Sequence, residues 1–177
     1  MRIALSLAAL LVVIAPSVTA SNPRLRGTSA KEVRLIEDLL ARSPTARALL
    51  ARIEATDVIA YVQLAPDLPA GRAATRFVVA TESGRFLRVV IGAMTNPVDR
   101  PALLAHEMQH VVEIAMSSDV RDNATLRALY ARIGEDRSAR SAFETSAARD
   151  VGSRVTRELA QRTSAPRSTE TAGTAGQ

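Results

Sequence analysis

The two histidines of this chain stand four positions apart, with a glutamate directly after the first: His106-Glu107-Met108-Gln109-His110. On a helix, residues four apart share one face, so both imidazoles can direct a nitrogen at one metal ion. Glu107 then stands beside the ion rather than on it, within reach of a bound water. Zinc lowers the pKa of such a water to about 7, and the carboxylate accepts its proton as hydroxide attacks a polarised carbonyl. The same carboxylate can pass the proton to the leaving amine. The bland alternative is two histidines satisfied inside a helix, with Glu107 facing solvent. The flanks argue against it. Ala102-Leu103-Leu104-Ala105 and Val111-Val112 put this helix in the interior, where unpaired imidazole and carboxylate groups are costly.

A tetrahedral zinc site open to water needs a third protein ligand. The chain has no cysteine, which excludes disulfides, iron–sulfur clusters, thiolate ligands and thiol nucleophiles together. No glycine turn follows His110 and no third histidine exists. Glu113 has helical spacing from His110 but lies seven residues beyond His106, roughly 10 Å of helix rise. It suits a position behind the ligands or on the surface. Glu144 is the better candidate. Stepping from it along a helix gives Ala148, Val151 or Gly152, Val155 and Leu159, an apolar stripe on which a carboxylate needs a partner. Small residues at 147, 148 and 152 would let this helix approach the histidine helix closely. The alternative for Glu144 is a place in the first turns of its helix, favoured by the helix dipole. The expected zinc ligands are therefore His106, His110 and Glu144, with Glu107 as general base and acid.

These groups need elements to hold them. From Ser29, Val33, Ile36, Leu39 and Leu40 recur at helical spacing, and Ser43-Pro44 reads as an N-cap and first-turn proline opening a second helix. Alternation then marks a strand from Val58 to Leu64, and strands over 75–81 and 85–91 flank a hairpin turn at Glu82-Ser83-Gly84. In the last strand Leu87, Val89 and Ile91 should share one face. The middle of the chain thus reads as a small, mainly antiparallel sheet. The histidine helix follows from about Asp99 to Met116, a shorter one from Ala124 to Ile133, and a long one from about Ser138 to Gln161. Helices and sheet together make an α+β fold, and 177 residues suit one domain.

Residues 1–20 read as a secretory signal: Arg2, an apolar run from Ile3, and small residues before a cleavage point after Ala20. An uncleaved anchor is the alternative, since the run is almost long enough to span a bilayer. Residues 21–161 form the expected domain, and the Ser/Thr/Ala/Gly-rich 162–177 a disordered tail. The expected location is periplasmic or secreted, with no stable membrane span after cleavage. A net charge of +5 with no run of like charges reads as a solvated surface. Aromatics at 3% with no Trp argue against a base-stacking nucleic-acid platform. The expected state is a monomer acting on peptide or protein.

The order of sheet, His106-Glu107-x-x-His110 helix, connecting helix and downstream Glu144 resembles the gluzincin zinc metallopeptidases, and most of all their very small members, the minigluzincins. The similarity covers about Asp57 to Leu159. It implies a zincin-like fold, a peptide-bond hydrolase, and a sheet strand, 85–91 or 75–81, offering its edge to an extended peptide. In thermolysin-like members an Asp four residues after the glutamate ligand orients the first histidine; here that position is Ala148, with Asp150 two further on. Those enzymes also place a Tyr or His near the oxyanion, and the tyrosines here are Tyr61 and Tyr130. Two other functions compete: a zinc-stabilised envelope or secreted binding protein with weak or no turnover, and a basic exported adaptor without metal.

Overall fold

The computed structural model describes residues 23–135 and 143–164. Short-range capping sets most helix starts. Ser29 accepts a hydrogen bond from the Lys31 N–H and opens α1 (Ala30–Arg42). Ser43 does the same for the Ala46 N–H and opens α2 (Pro44–Glu54), with Pro44 in the first turn where its missing N–H costs nothing. Asp122 and Thr125 satisfy one another's backbone in a capping box at the head of α4 (Asn123–Ile133). The histidine helix, α3 (Arg100–Ala115), carries Pro101 in its first turn. The last helix, α5, spans Ser146–Ser164.

The sheet contains β1 (Leu25–Gly27), β2 (Val58–Ala65), β3 (Ala73–Thr81) and β4 (Gly84–Gly92) in the order β1-β2-β4-β3. The β3–β4 hairpin is antiparallel, as expected, and Gly84 takes φ 146° at its turn, a conformation L side chains rarely adopt. The sheet as a whole is mixed, however, not mainly antiparallel. β2 pairs with β4 rather than β3, in parallel, and β1 adds a second parallel pairing. Alternation reports which residues face the core but not which way a neighbour runs, so the direction was not readable from the pattern. β1, at three residues, is too short for any periodicity to show. Val90 is buried along with Leu87, Val89 and Ile91, although alternation turns it to the opposite face, where the carbonyls of Leu68 and Pro69 close on Gly92.

Helices α1, α2 and α3 pack their apolar residues against Leu25, Ala60, Val62, Leu87, Val89 and Ile91 in one core. One inward position in α1 differs from expectation. Val33 is 40% exposed, whereas Glu32 is buried. Its carboxylate bonds the Ser29 hydroxyl and accepts from the Leu64 N–H at 3.0 Å, a donor left over where the three-residue β1 has ended. Arg85 on β4 is also buried, and its guanidinium lies at the C-terminus of α3. There it donates to the carbonyls of Ile114 (2.9 Å), Ala115 (2.8 Å) and Ser117 (2.7 Å) while pairing with Asp57 at 2.7 Å. Ile114 and Ser117 also accept from the Ser117 and Val120 N–H groups, whereas the Ala115 carbonyl is an acceptor that the helix end leaves open. α5 begins at Ser146, later than the expected Ser138; residues 136–142 lie outside the described residues. It continues through Ser164, so the first three residues of the expected tail are helical. The expected signal at 1–20 and the remaining tail, 165–177, also lie outside the described residues. Among the described residues no helix is long and apolar enough to cross a membrane.

Candidate metal centre

His106 and His110 lie one turn apart on α3, and their Nε2 atoms converge to 3.2 Å. The rings meet edge to face, with centroids 4.9 Å apart. Glu144 brings its Oε1 to 3.6 Å from His106 Nε2. One ligand atom from each of the three residues falls within 4.8 Å of the others, so the group could hold a metal ion. Glu144 Oε1 is buried and has no hydrogen-bond partner. A buried carboxylate oxygen left unbonded is costly, and a cation at this point would satisfy it.

Glu144 reaches this place from just ahead of α5 rather than from within it. Its carbonyl accepts from the Glu135 N–H at 3.1 Å. Thr145, the next residue, accepts from the Ala148 N–H at 3.1 Å and so caps α5, while its hydroxyl donates to Glu113 Oε1 at 2.8 Å. The apolar stripe expected downstream is present, with Ala148, Val155 and Leu159 buried. Gly152 is the point of closest approach. A Cβ there would stand 3.6 Å from His106 Cβ and 3.7 Å from its Nδ1, contact without clash. Ala147 is exposed and takes no part in that approach.

Behind the ligand atoms each ring is held. His110 Nδ1 lies 2.8 Å from Glu113 Oε2, so Glu113 orients the second histidine rather than binding metal. Gln109 and Thr145 both donate to Glu113 Oε1. The Tyr130 hydroxyl donates to Glu113 Oε2 at 3.3 Å and stands 3.2 Å from His110 Nδ1. The Ala148 backbone favours the protonated form of the His106 ring. Asp150 is exposed.

Glu107 is buried, and Thr75 on β3 donates to its Oε2 at 2.8 Å. Burial pushes the Glu107 carboxyl above its ordinary range, although nearby His110 and the Thr75 bond pull the other way. Burial and the neighbouring His110 charge hold His106 below the ordinary histidine value. Burial also opposes protonation of His110, but its bond to Glu113 and the surrounding carboxylates raise it overall. Burial pushes the Tyr130 hydroxyl up, aided by Glu113.

No known protein family, curated protein or solved structure matches this chain. The site must be read from its own atoms. Of the four residues expected to do chemistry, His106, His110 and Glu144 come together, and Glu107 is buried on the same helix. Thr75 and Thr145 were not anticipated, and Tyr130, named only beside the oxyanion, stands behind His110 instead. Thr145 had a signal, a hydroxyl residue ahead of the Ser146-Ala147-Ala148 run; the other two join the site only through the fold. Tyr61 lies on the sheet beside Arg26, away from the histidines. A cavity of about 750 Å³ opens beside His106, between Ala102 and Leu103 of α3 and Gly152 and Thr156 of α5.

Proposed function

We propose that the chain is an exported, zinc-dependent metallopeptidase with a zincin-like fold, similar in its site to the gluzincins. The observation that carries this is the buried, unbonded Glu144 Oε1 facing two histidine Nε2 atoms 3.2 Å apart. Ligand atoms about 2.0–2.1 Å from a tetrahedral zinc stand about 3.3 Å from one another, close to the 3.2 and 3.6 Å separations here. His106, His110 and Glu144 would hold the ion, which would supply a Lewis acid and a readily deprotonated water.

The remaining work belongs to this chain's own groups. Glu107 takes the proton from the attacking water and returns it to the leaving amine. Its raised pKa makes it a stronger base than an exposed carboxylate, and Thr75 holds one oxygen so that the other is aimed. Of the two strands considered for an extended substrate, β4 is internal, so the free edge is that of β3, which carries Thr75. A peptide added there would run past Glu107. The cavity beside His106 gives one substrate side chain room.

Metal analysis should find one zinc per chain, and Glu107→Gln should abolish peptide cleavage while zinc remains bound. Less than a tenth of an equivalent of zinc would remove the proposal. A second function, a zinc-stabilised envelope or secreted binding protein, is favoured by one observation: the Tyr130 hydroxyl lies behind His110, at Nδ1, and Tyr61 is remote. Without a group at the oxyanion, rate falls by orders of magnitude. Full zinc with no cleavage of casein or peptide libraries would select that function.

A further inference from the structure

The main core of this domain lies against one face of the sheet. Leu25, Ala60, Val62, Leu87, Val89 and Ile91 point to the helices, so alternation puts Arg24, Arg26, Ile59, Tyr61, Phe86, Arg88 and Val90 on the other face. Val90 is buried at one end of that face, while Arg88 stays exposed. The register aligns Arg26 with Tyr61, Tyr61 with Arg88, and Arg88 with Arg76. This cross-strand row spans all four strands, about 14 Å. No strand contains an Asp or Glu. Among the described residues the ion-paired arginines are Arg42, Arg85 and Arg149, none of them on this face. Arg76 and Arg88 are both exposed and directly opposed, and like charges in that relation weaken strand pairing. An anion lying over the pair would reverse the sign of that interaction.

Beside the row lie apolar groups: Ile59 opposite Phe86, and Phe86 opposite Val79, which is 44% exposed. An apolar strip of Ile59, Phe86 and Val79 alongside a row of arginines matches a membrane interface, where guanidinium groups reach phosphates and apolar side chains sit at the headgroup boundary. A nucleic-acid strand fits less well. The Tyr61 ring, the most central aromatic, already carries the Arg26 guanidinium at 5.7 Å and its hydroxyl accepts from Arg26, so that ring face is not free to stack a base. We propose that this open sheet face docks the protein on anionic phospholipid, with the Arg26–Tyr61–Arg88–Arg76 row on the headgroup phosphates. It does not depend on the metal site.

The full chain is mixed with vesicles of phosphatidylcholine alone and of phosphatidylcholine with phosphatidylglycerol. The ratio of the two affinities is the readout, because the apolar N-terminal stretch would bind both lipids alike. Binding should be at least about tenfold tighter with phosphatidylglycerol, and that preference should disappear near 1 M salt, where the screening length falls to about 3 Å. Arg76→Glu should erase the preference while preserving the fold, since it sets opposite charges across from one another at Arg88. Arg127→Glu, the same charge change on exposed α4, should leave the preference within about twofold. Equal affinity for both vesicles overturns the proposal, and so does an equal loss in Arg127→Glu, which would mean net charge alone. A single-stranded oligonucleotide that displaces the vesicles and loses its own binding in Arg76→Glu would assign the face to nucleic acid instead.

Discussion

Glu144 and Glu113 both approach the histidines, but they do different work and should fail differently. Glu144 Oε1 is buried without a partner, so in the absence of metal it is a burden. In chelator, Glu144→Ala should melt at or above the temperature of the unsubstituted protein; with zinc added the order should invert, because metal affinity is folding free energy. Paired thermal melts with and without chelator measure this, and a variant destabilised equally in both would show that Glu144 is not a ligand. Glu113 instead holds His110 from behind at 2.8 Å. Glu113→Gln should weaken zinc affinity by about 10–100-fold without abolishing binding, read by competition with a chromophoric chelator. At this scale the motif was legible because one turn of helix brings 106 and 110 together. Thr75 was not, since it lies 32 residues from Glu107 and joins it only through the packing of β3 on α3.

Among the elements, α3 carries both histidines and ends on Arg85. That guanidinium donates to the carbonyls of Ile114 and Ala115 at the end of the helix and of Ser117 just beyond it, and pairs with Asp57 in one arrangement. Arg85→Met would leave the Ala115 carbonyl unbonded at a buried helix end and remove the partner of Asp57, whose side chain is 43% exposed. We expect a loss of about 1–3 kcal/mol in urea unfolding. Arg85→Lys should recover little of it, since an ammonium cannot fork to several acceptors. Helices with polar caps were readable to within a residue or two, as Ser29 and Ser43 show. Strand partners were not, since β2 reaches β4 past the whole of β3. The start of α5 was placed too early, and the cap that sets it, Thr145, went unread although it lay in the sequence.

At the scale of the molecule, three carboxylates away from the metal centre tie elements together. Asp57 is held below its ordinary value by the bond from Arg85. Glu32 and Glu158 are disfavoured by burial, yet hydrogen bonds from Ser29 and Leu64, and from Ser43 and Thr45, lower both overall. Each therefore binds a proton more weakly folded than unfolded. Their stabilisation is present above the unfolded values and is lost as pH falls through the folded ones. Melting temperature in chelator should drop below about pH 4. Glu158→Gln, which breaks a tie between α5 and the head of α2, should flatten part of that fall. A Glu158→Gln protein that loses stability in acid as steeply as the unsubstituted one would contradict the assignment of Glu158.

The sequence alone determined that both histidines would share one face of a buried helix beside Glu107, because that depends only on the 3.6-residue turn. It also singled out Glu144, through scarcity: with no cysteine and no third histidine, a carboxylate on an apolar stripe was the natural third ligand. Whether that carboxylate would reach the histidines depended on the backbone between α4 and α5, where the Glu135 N–H bonds the Glu144 carbonyl, and on the cap at Thr145. Local periodicity carries no information about either. The same holds for the arginine row. Four residues on separate strands became one surface only when β4 took its place between β2 and β3.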